Sequence, residues 1–309
     1  MILGLVILFY IYRNFDFAQV SGAVGGMNMW WFTLSCIFGV LSHMIRGWRW
    51  RLPLSPLGYS PRSSTCIYSI FIAYAANLVV PRIGEVSRCV VLDRCESVPF
   101  VQSLGTLVSE RLVDTLMVLL IMLVAITSQW QVFYSFLIES GVNASGNGLF
   151  SSMGRLVVLA LSMIAIVLVL YIIIRKMSIW AKLRTFISRF MDGMSSLAKM
   201  KNFSLFAWET VGIWFCYFMQ FYLCFFCFSF SSTLSVWAAL LLFVAGSIAV
   251  VVPTPNGAGP WHFAVISIMV LYGVSASDAA MFALIVHTSQ TLLVALLGIL
   301  ALIMLQIRR

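Results

Sequence analysis

The stretch NLVVPRIGEVSR, Asn77 to Arg88, sets Arg82, Glu85 and Arg88 beside Pro81 and Gly84, between two apolar runs. Proline removes a backbone donor and clashes with the preceding turn, and glycine weakens a helix, so no continuous helix is expected here. In water this would be an ordinary polar loop. At bilayer depth each charge would cost about 2.5–3.5 kcal/mol on insertion scales, and the segment becomes a candidate site.

The rest of the chain places it in a membrane. Of 309 residues, 62% are hydrophobic and 9% charged, where soluble domains carry about 25% charged residues. Apolar runs lie at 1–12, 29–45, 63–80, 101–127, 154–174, 204–228, 236–252, 261–273 and 280–305. Several reach the roughly 20 residues that a crossing helix needs. The alternating ten-residue segments of an outer-membrane barrel are missing. The first run ends before Arg13 and is too short to cross unless its helix continues or begins further upstream.

The net charge of +9 does not indicate nucleic acid, because the basic residues gather between apolar runs. Arg46, Arg49, Arg51 and Arg62 occupy 46–62 without an acid, seven Lys/Arg oppose Asp192 in 175–201, and Arg308 and Arg309 end the sequence. All three segments are expected on the cytoplasmic side, and 128–153, with Glu139 and no basic residue, outside. Residues 178–200 read as an amphipathic helix on the cytoplasmic interface.

Alternation between these sides forces a particular topology. Both ends of 63–97 must be cytoplasmic, yet the stretch is short for two crossings, so it is expected to form a re-entrant hairpin broken at Pro81 and Gly84. Residues 236–273 must likewise enter and leave from outside. Their middle, PTPNGAGP from Pro253 to Pro260, cannot be continuous helix. The expected fold is an all-α polytopic membrane protein, with about six crossing helices and two re-entrant helical hairpins. Residues 1–309 form one domain of inverted-repeat halves, roughly 1–127 and 154–309, with both termini cytoplasmic. Pro81, Gly84, Pro253, Pro255, Gly257 and Gly259 mark the hairpin tips. Paired breaks of this kind point to a transporter-like site at the repeat interface.

Candidate site residues follow from the same placement. Glu85 and Arg88 stand three residues apart and can pair on a helix starting near Gly84, leaving Arg82 in the turn. Glu110 and Asp114, one helical turn apart with Arg111 beside them, can neutralise Arg82 or Arg88. A remaining positive charge at a helix N-terminus suits a phosphate or another anion. In the second half, Asn256 at the break, His262, His287 and Gln290 are polar groups within apolar runs, and the histidines are candidates for proton transfer. His43 carries no functional expectation.

Nucleophile-elbow, P-loop, zincin and zinc-set motifs are absent. The seven cysteines form no disulfide framework, and Cys224-Phe-Phe-Cys227 lacks histidine or acidic partners for a metal. No metal and no cofactor are expected. Asn143-Ala144-Ser145 matches a short glycosylation sequon.

The order of motifs, NLVVPRIGEVSRCVVL, then ERLVDTL, then PTPNGAG before a terminal helix pair, resembles the flippase-like transmembrane domain of lysylphosphatidylglycerol synthases in its stand-alone form. The resemblance spans nearly the whole chain. It implies a bacterial inner-membrane protein that moves or handles a charged lipid, through Asn77, Arg82, Glu85 and Arg88 of the first motif and Glu110, Arg111 and Asp114 of the second. Its partner would be a phospholipid or a polyprenyl-phosphate-linked lipid, not nucleic acid; self-association into a homo-oligomer stays open. Many relatives have Glu where His262 stands and Arg where His287 stands, so the headgroup chemistry is expected to differ. The aminoacyl-transferase domain of the full synthases is not in this sequence, and aminoacylation is not expected. A membrane glycosyltransferase using a polyprenyl-phosphate sugar donor and a non-transporting scaffold are the alternatives.

Overall fold

The computed structural model of the chain describes residues 2–13, 15–129 and 180–307. The expected 154–174 span, the 128–153 loop with Asn143 and the terminal arginines lie outside these residues or at their edge. Among the described residues the chain is all-helical. A short first section holds α1 (Ile2–Tyr12) and α2 (Ala18–Gly25). The first half then runs α3 (Met29–Leu54), α4 (Ser63–Val79), α5 (Ile83–Glu96) and α6 (Phe100–Ser128). After α7 (Trp180–Ser195) come α8 (Phe203–Leu223), α9 (Val236–Ala249), α10 (Pro260–Leu271) and α11 (Ala276–Ile307). A long helix, a broken short pair and another long helix thus occur twice.

Local chemistry accounts for the starts and breaks. Asn28 caps α3 through the Trp30 N–H, and Ser235 caps α9 through the Ala238 N–H. The helix α1 ends at Tyr12 and does not continue past Arg13. Phe100–Ser128, Phe203–Cys227 and Ala276–Ile307 are long and apolar enough to cross a membrane, and the bent pair α2–α3 is a fourth candidate. The outward stripe of α6, with Leu112, Leu116, Leu120 and Leu123, is largely uncovered, as is Leu292, Leu296, Ile299 and Ile303 on α11. These faces are suited to lipid tails rather than water.

The two helices of the first broken pair, α4 and α5, pack side by side. Near their tip, α5 lies so close to α4 that a Cβ on Gly84 would sit 2.0 Å from the Ala73 carbonyl oxygen. At their open end the Thr65 hydroxyl donates to Glu96 at 2.5 Å. Contact at both ends makes the two helices antiparallel neighbours. In the second pair α9 and α10 also pack together, with the Trp261 indole against Gly246. An aromatic core of Phe221, Phe225, Phe282 and Trp261 joins α8, α10 and α11. Trp50, Ile70, Leu92 and Leu107 form a second core between α3, α4, α5 and α6. With lipid tails as solvent, such cores hold helices by close packing more than by exclusion from water.

Candidate functional site

At the first break, Arg82 adopts a left-handed backbone conformation, φ 67°, and caps α5. Few residues other than glycine take this region cheaply. The first free N–H groups of α5 would face outward from such a turn, but the Gly84 N–H is taken by the Asn77 side-chain oxygen at 2.8 Å. Asn77 therefore acts as a cap across the hairpin. Arg82 is exposed, and its Nη2 donates to the Val251 carbonyl at 2.9 Å. Val251 lies in the second break, so the two tips touch.

Behind this contact lies a buried ion network that the sequence shows only in part. Arg46 and Arg49 stand one turn apart on α3, Arg88 on α5, and Glu110 and Asp114 on α6; all five are almost fully buried. Arg49 Nη2 lies 2.8 Å from Glu110 Oε1 and 3.0 Å from Asp114 Oδ1. Arg88 Nη2 reaches Glu110 Oε2 at 2.6 Å, and Arg46 Nη1 reaches Asp114 Oδ2 at 2.9 Å. Each carboxylate thus holds two guanidiniums. Thr210 of α8 accepts from Arg49 Nη1 at 2.9 Å, so α3, α5, α6 and α8 are all tied to the network. Arg88 also sits over the Trp50 ring, 4.3 Å from its centroid, a placement that favours a desolvated cation. Its Nε and Nη1 are buried without a partner.

The expected Glu85–Arg88 pair is not formed. Helix α5 turns Arg88 inward to Glu110 and leaves Glu85 at the rim, where its Oε1 lies 3.0 Å from Arg111 Nε. Both rim side chains are 40% exposed. Arg111 also approaches Asp114 at 3.6 Å, which joins rim to core. Four guanidiniums against three carboxylates leave the network one positive charge. Glu209 on α8 lies near Arg49 and Arg51 but joins no ion pair among the described residues.

Arg46 and Arg49 were expected in a cytoplasmic loop. Instead α3 runs on to Leu54 and buries both, because two carboxylates on α6 await them. The signal available in the sequence was their spacing of three, which puts both on one helical face. Arg51 and Arg62 of the same segment remain exposed.

The polar residues of the second half form a separate group. At the second break Asn256 and Gly259 have positive φ, 50° and 94°. A Cβ on Gly259 would meet the Gly4 carbonyl oxygen at 2.6 Å, where α1 crosses the tip. Pro253 is exposed, while Pro255 and Gly257 belong to a single turn of 3-10 helix. Asn256 donates to Thr291 at 2.9 Å, and its carbonyl meets His287 Nε2 at 3.0 Å. The His262 and His287 ring centroids are 4.5 Å apart. Both rings line a cleft of about 410 Å³ with Leu5, Leu8 and Tyr12 of α1. Gln290 is half-buried and lies outside the cleft lining. Among the described residues no hydrogen bond, ion pair or ring contact joins this group to the arginine network. The candidate residues of the two halves thus form two separate groups. His43 is buried among Phe71, Tyr74 and Tyr217, as a packed core residue. No group of three metal-ligating side chains occurs among the described residues.

No solved structure matches this chain. Glycosyltransferase AglD of Haloferax volcanii is 29% identical over 102 residues, which is 33% of this chain and 16% of that protein. The chain thus matches only a small part of that curated relative's length. The description of the lysylphosphatidylglycerol synthase TM region, in contrast, fits residues 1–298. Alongside the doubled order of long helix, broken pair and long helix, this match over residues 1–298 places the chain in the lysylphosphatidylglycerol synthase TM-region family of membrane proteins.

Proposed function

We propose that this protein is a flippase-like transporter of the bacterial cytoplasmic membrane that handles a lipid with an anionic headgroup where the two hairpin tips meet. In this reading the chain has about six crossings, and the hairpins enter from opposite faces. The observation that carries it is the surplus positive charge of the Arg46, Arg49, Arg88, Arg111, Glu85, Glu110, Asp114 network, set behind an exposed Arg82 at the tip contact. Exposed charges on helices at bilayer depth are tolerable only beside a polar cavity or headgroup. A lipid phosphate supplies that partner: it offsets the surplus charge at the rim without entering the sealed core. Glu85 beside Arg111 keeps the attraction partial, so that a headgroup can leave as well as arrive.

The test is transbilayer movement of fluorescent phosphatidylglycerol against fluorescent phosphatidylcholine in vesicles containing the purified protein. Faster movement of the anionic lipid is expected, with Arg82→Ala removing the difference at an unchanged thermal midpoint. Full activity of Arg82→Ala, or loss only in step with stability, would sink the reading. The similarity to a protein named a glycosyltransferase favours a second reading, transfer of a sugar from a polyprenyl-phosphate donor. Release of polyprenyl phosphate from such a donor by the purified protein would support it over transport.

A further inference from the structure

The cleft between α1, α10 and α11 ends on two imidazoles whose hydrogen-bonding roles are set by their partners. The Gly259 N–H donates to His262 Nδ1 at 3.4 Å. That nitrogen is therefore an acceptor, and in the neutral ring Nε2 carries the proton. His287 Nε2 faces the Asn256 carbonyl at 3.0 Å. A carbonyl can only accept, so this nitrogen carries the proton and Nδ1 keeps its lone pair.

The remaining nitrogens, a donor on His262 and an acceptor on His287, have no hydrogen-bond partner among the described residues. Neither is among the sealed-off orphan atoms, so both keep some exposure, on rings that line the cleft. The rings are otherwise nearly fully covered, 3% and 9% exposed. Polar groups so placed are normally satisfied. The Tyr12 hydroxyl gives its proton to the Ala280 carbonyl at 3.0 Å and so has none for His287, and it makes no hydrogen bond to either ring among the described residues.

One donor beside one acceptor matches a hydroxyl group, which accepts from the first and donates to the second. A fully ionised phosphate, whose oxygens only accept, would meet the donor on His262 but leave the lone pair on His287 unsatisfied. The other walls are mostly apolar, Leu5, Leu8, Phe9, Phe17 and Leu284, with the exposed Thr288 beside them. Leu5 and Phe9 are 60% and 73% exposed on the outer side of α1, so the cleft continues into the uncovered apolar surface. A tail can extend there into lipid. We infer that the cleft is a binding site for an amphiphile ending in a neutral hydroxyl, such as a long-chain alcohol or the free hydroxyl of a neutral glycerolipid. The inference stands apart from the arginine network and does not rest on transport.

The experiment uses the purified full chain in lipid nanodiscs and a diazirine-bearing long-chain alcohol, with the matching alkane and the phosphate monoester as competitors. Crosslinks are mapped by mass spectrometry. Two hydrogen bonds should favour the alcohol over the alkane by about tenfold, with labels on α1 and on α10 or α11. His262→Phe and His287→Phe keep an aromatic ring and should erase that preference. Both also strand a backbone group at the tip, so Leu8→Trp, which fills the cleft and touches neither hydrogen bond, is the second variant and should abolish labelling. Equal labelling by alcohol and alkane, stronger competition by the phosphate monoester, or full labelling of Leu8→Trp would each overturn the assignment. None of these outcomes depends on movement of phosphatidylglycerol, so failure here and failure of the transport reading are distinguishable.

Discussion

The guanidinium of Arg82 donates to the Val251 carbonyl at 2.9 Å, across 169 positions of sequence. It is one of the contacts between the two broken helix pairs. The left-handed backbone at Arg82 costs on the order of 1–3 kcal/mol, and the surrounding hairpin must hold it. Arg82→Cys with Val251→Cys, after replacement of the seven native cysteines, is expected to crosslink with a short bifunctional maleimide. Arg62→Cys with Val251→Cys should not. A pair at 82 and 251 that resists crosslinking would mean that the tips do not meet in the membrane.

Removing one partner of a buried charge pair costs about 3–5 kcal/mol, because the other charge is left in low dielectric. Glu110→Ala strands Arg88 and leaves Arg49 with Asp114 alone of its two carboxylates, and is expected to fall in that range. The readout is the thermal unfolding midpoint in detergent, with folded yield as the companion measurement. A midpoint close to that of the natural protein would show that the network is not buried as described.

Glu85 should behave differently. Its pair with Arg111 is 40% exposed on each side, and an exposed pair is worth about 0–1 kcal/mol. Glu85→Gln is therefore expected to shift the midpoint by far less than Glu110→Ala. Pairing of Glu85 with Arg88, which the sequence alone suggested, would require the two variants to be comparably destabilised.

The proposed inversion of the two broken pairs makes a labelling prediction. Arg62→Cys and Ser97→Cys flank the first pair, and Thr233→Cys and Ser275→Cys flank the second. In oriented vesicles, an impermeant maleimide should reach the first two from one side and the last two from the other. Reaction of Ser97→Cys and Thr233→Cys from the same side would remove the inverted arrangement.

Periodicity, length and breakers were enough to locate most of the described helices. The apolar runs at 63–80, 101–127 and 280–305 reappear as α4, α6 and α11 with shifts of a few residues. Both breaks fall at the prolines and glycines that forbid a continuous helix, since that constraint is local to the backbone. Partner choice was not local. Arg88 can turn toward Glu85 on its own helix or toward Glu110 on the next, and only the packing of α5 against α6 decides for Glu110. Arg46 and Arg49 look like loop cations in sequence because their counter-ions lie more than sixty residues away. The separation of the histidine cleft from the arginine network was likewise decided by tertiary structure. It depends on α1 folding over the second tip, where Gly4 meets Gly259, and contact between distant backbones leaves no periodic trace in a sequence.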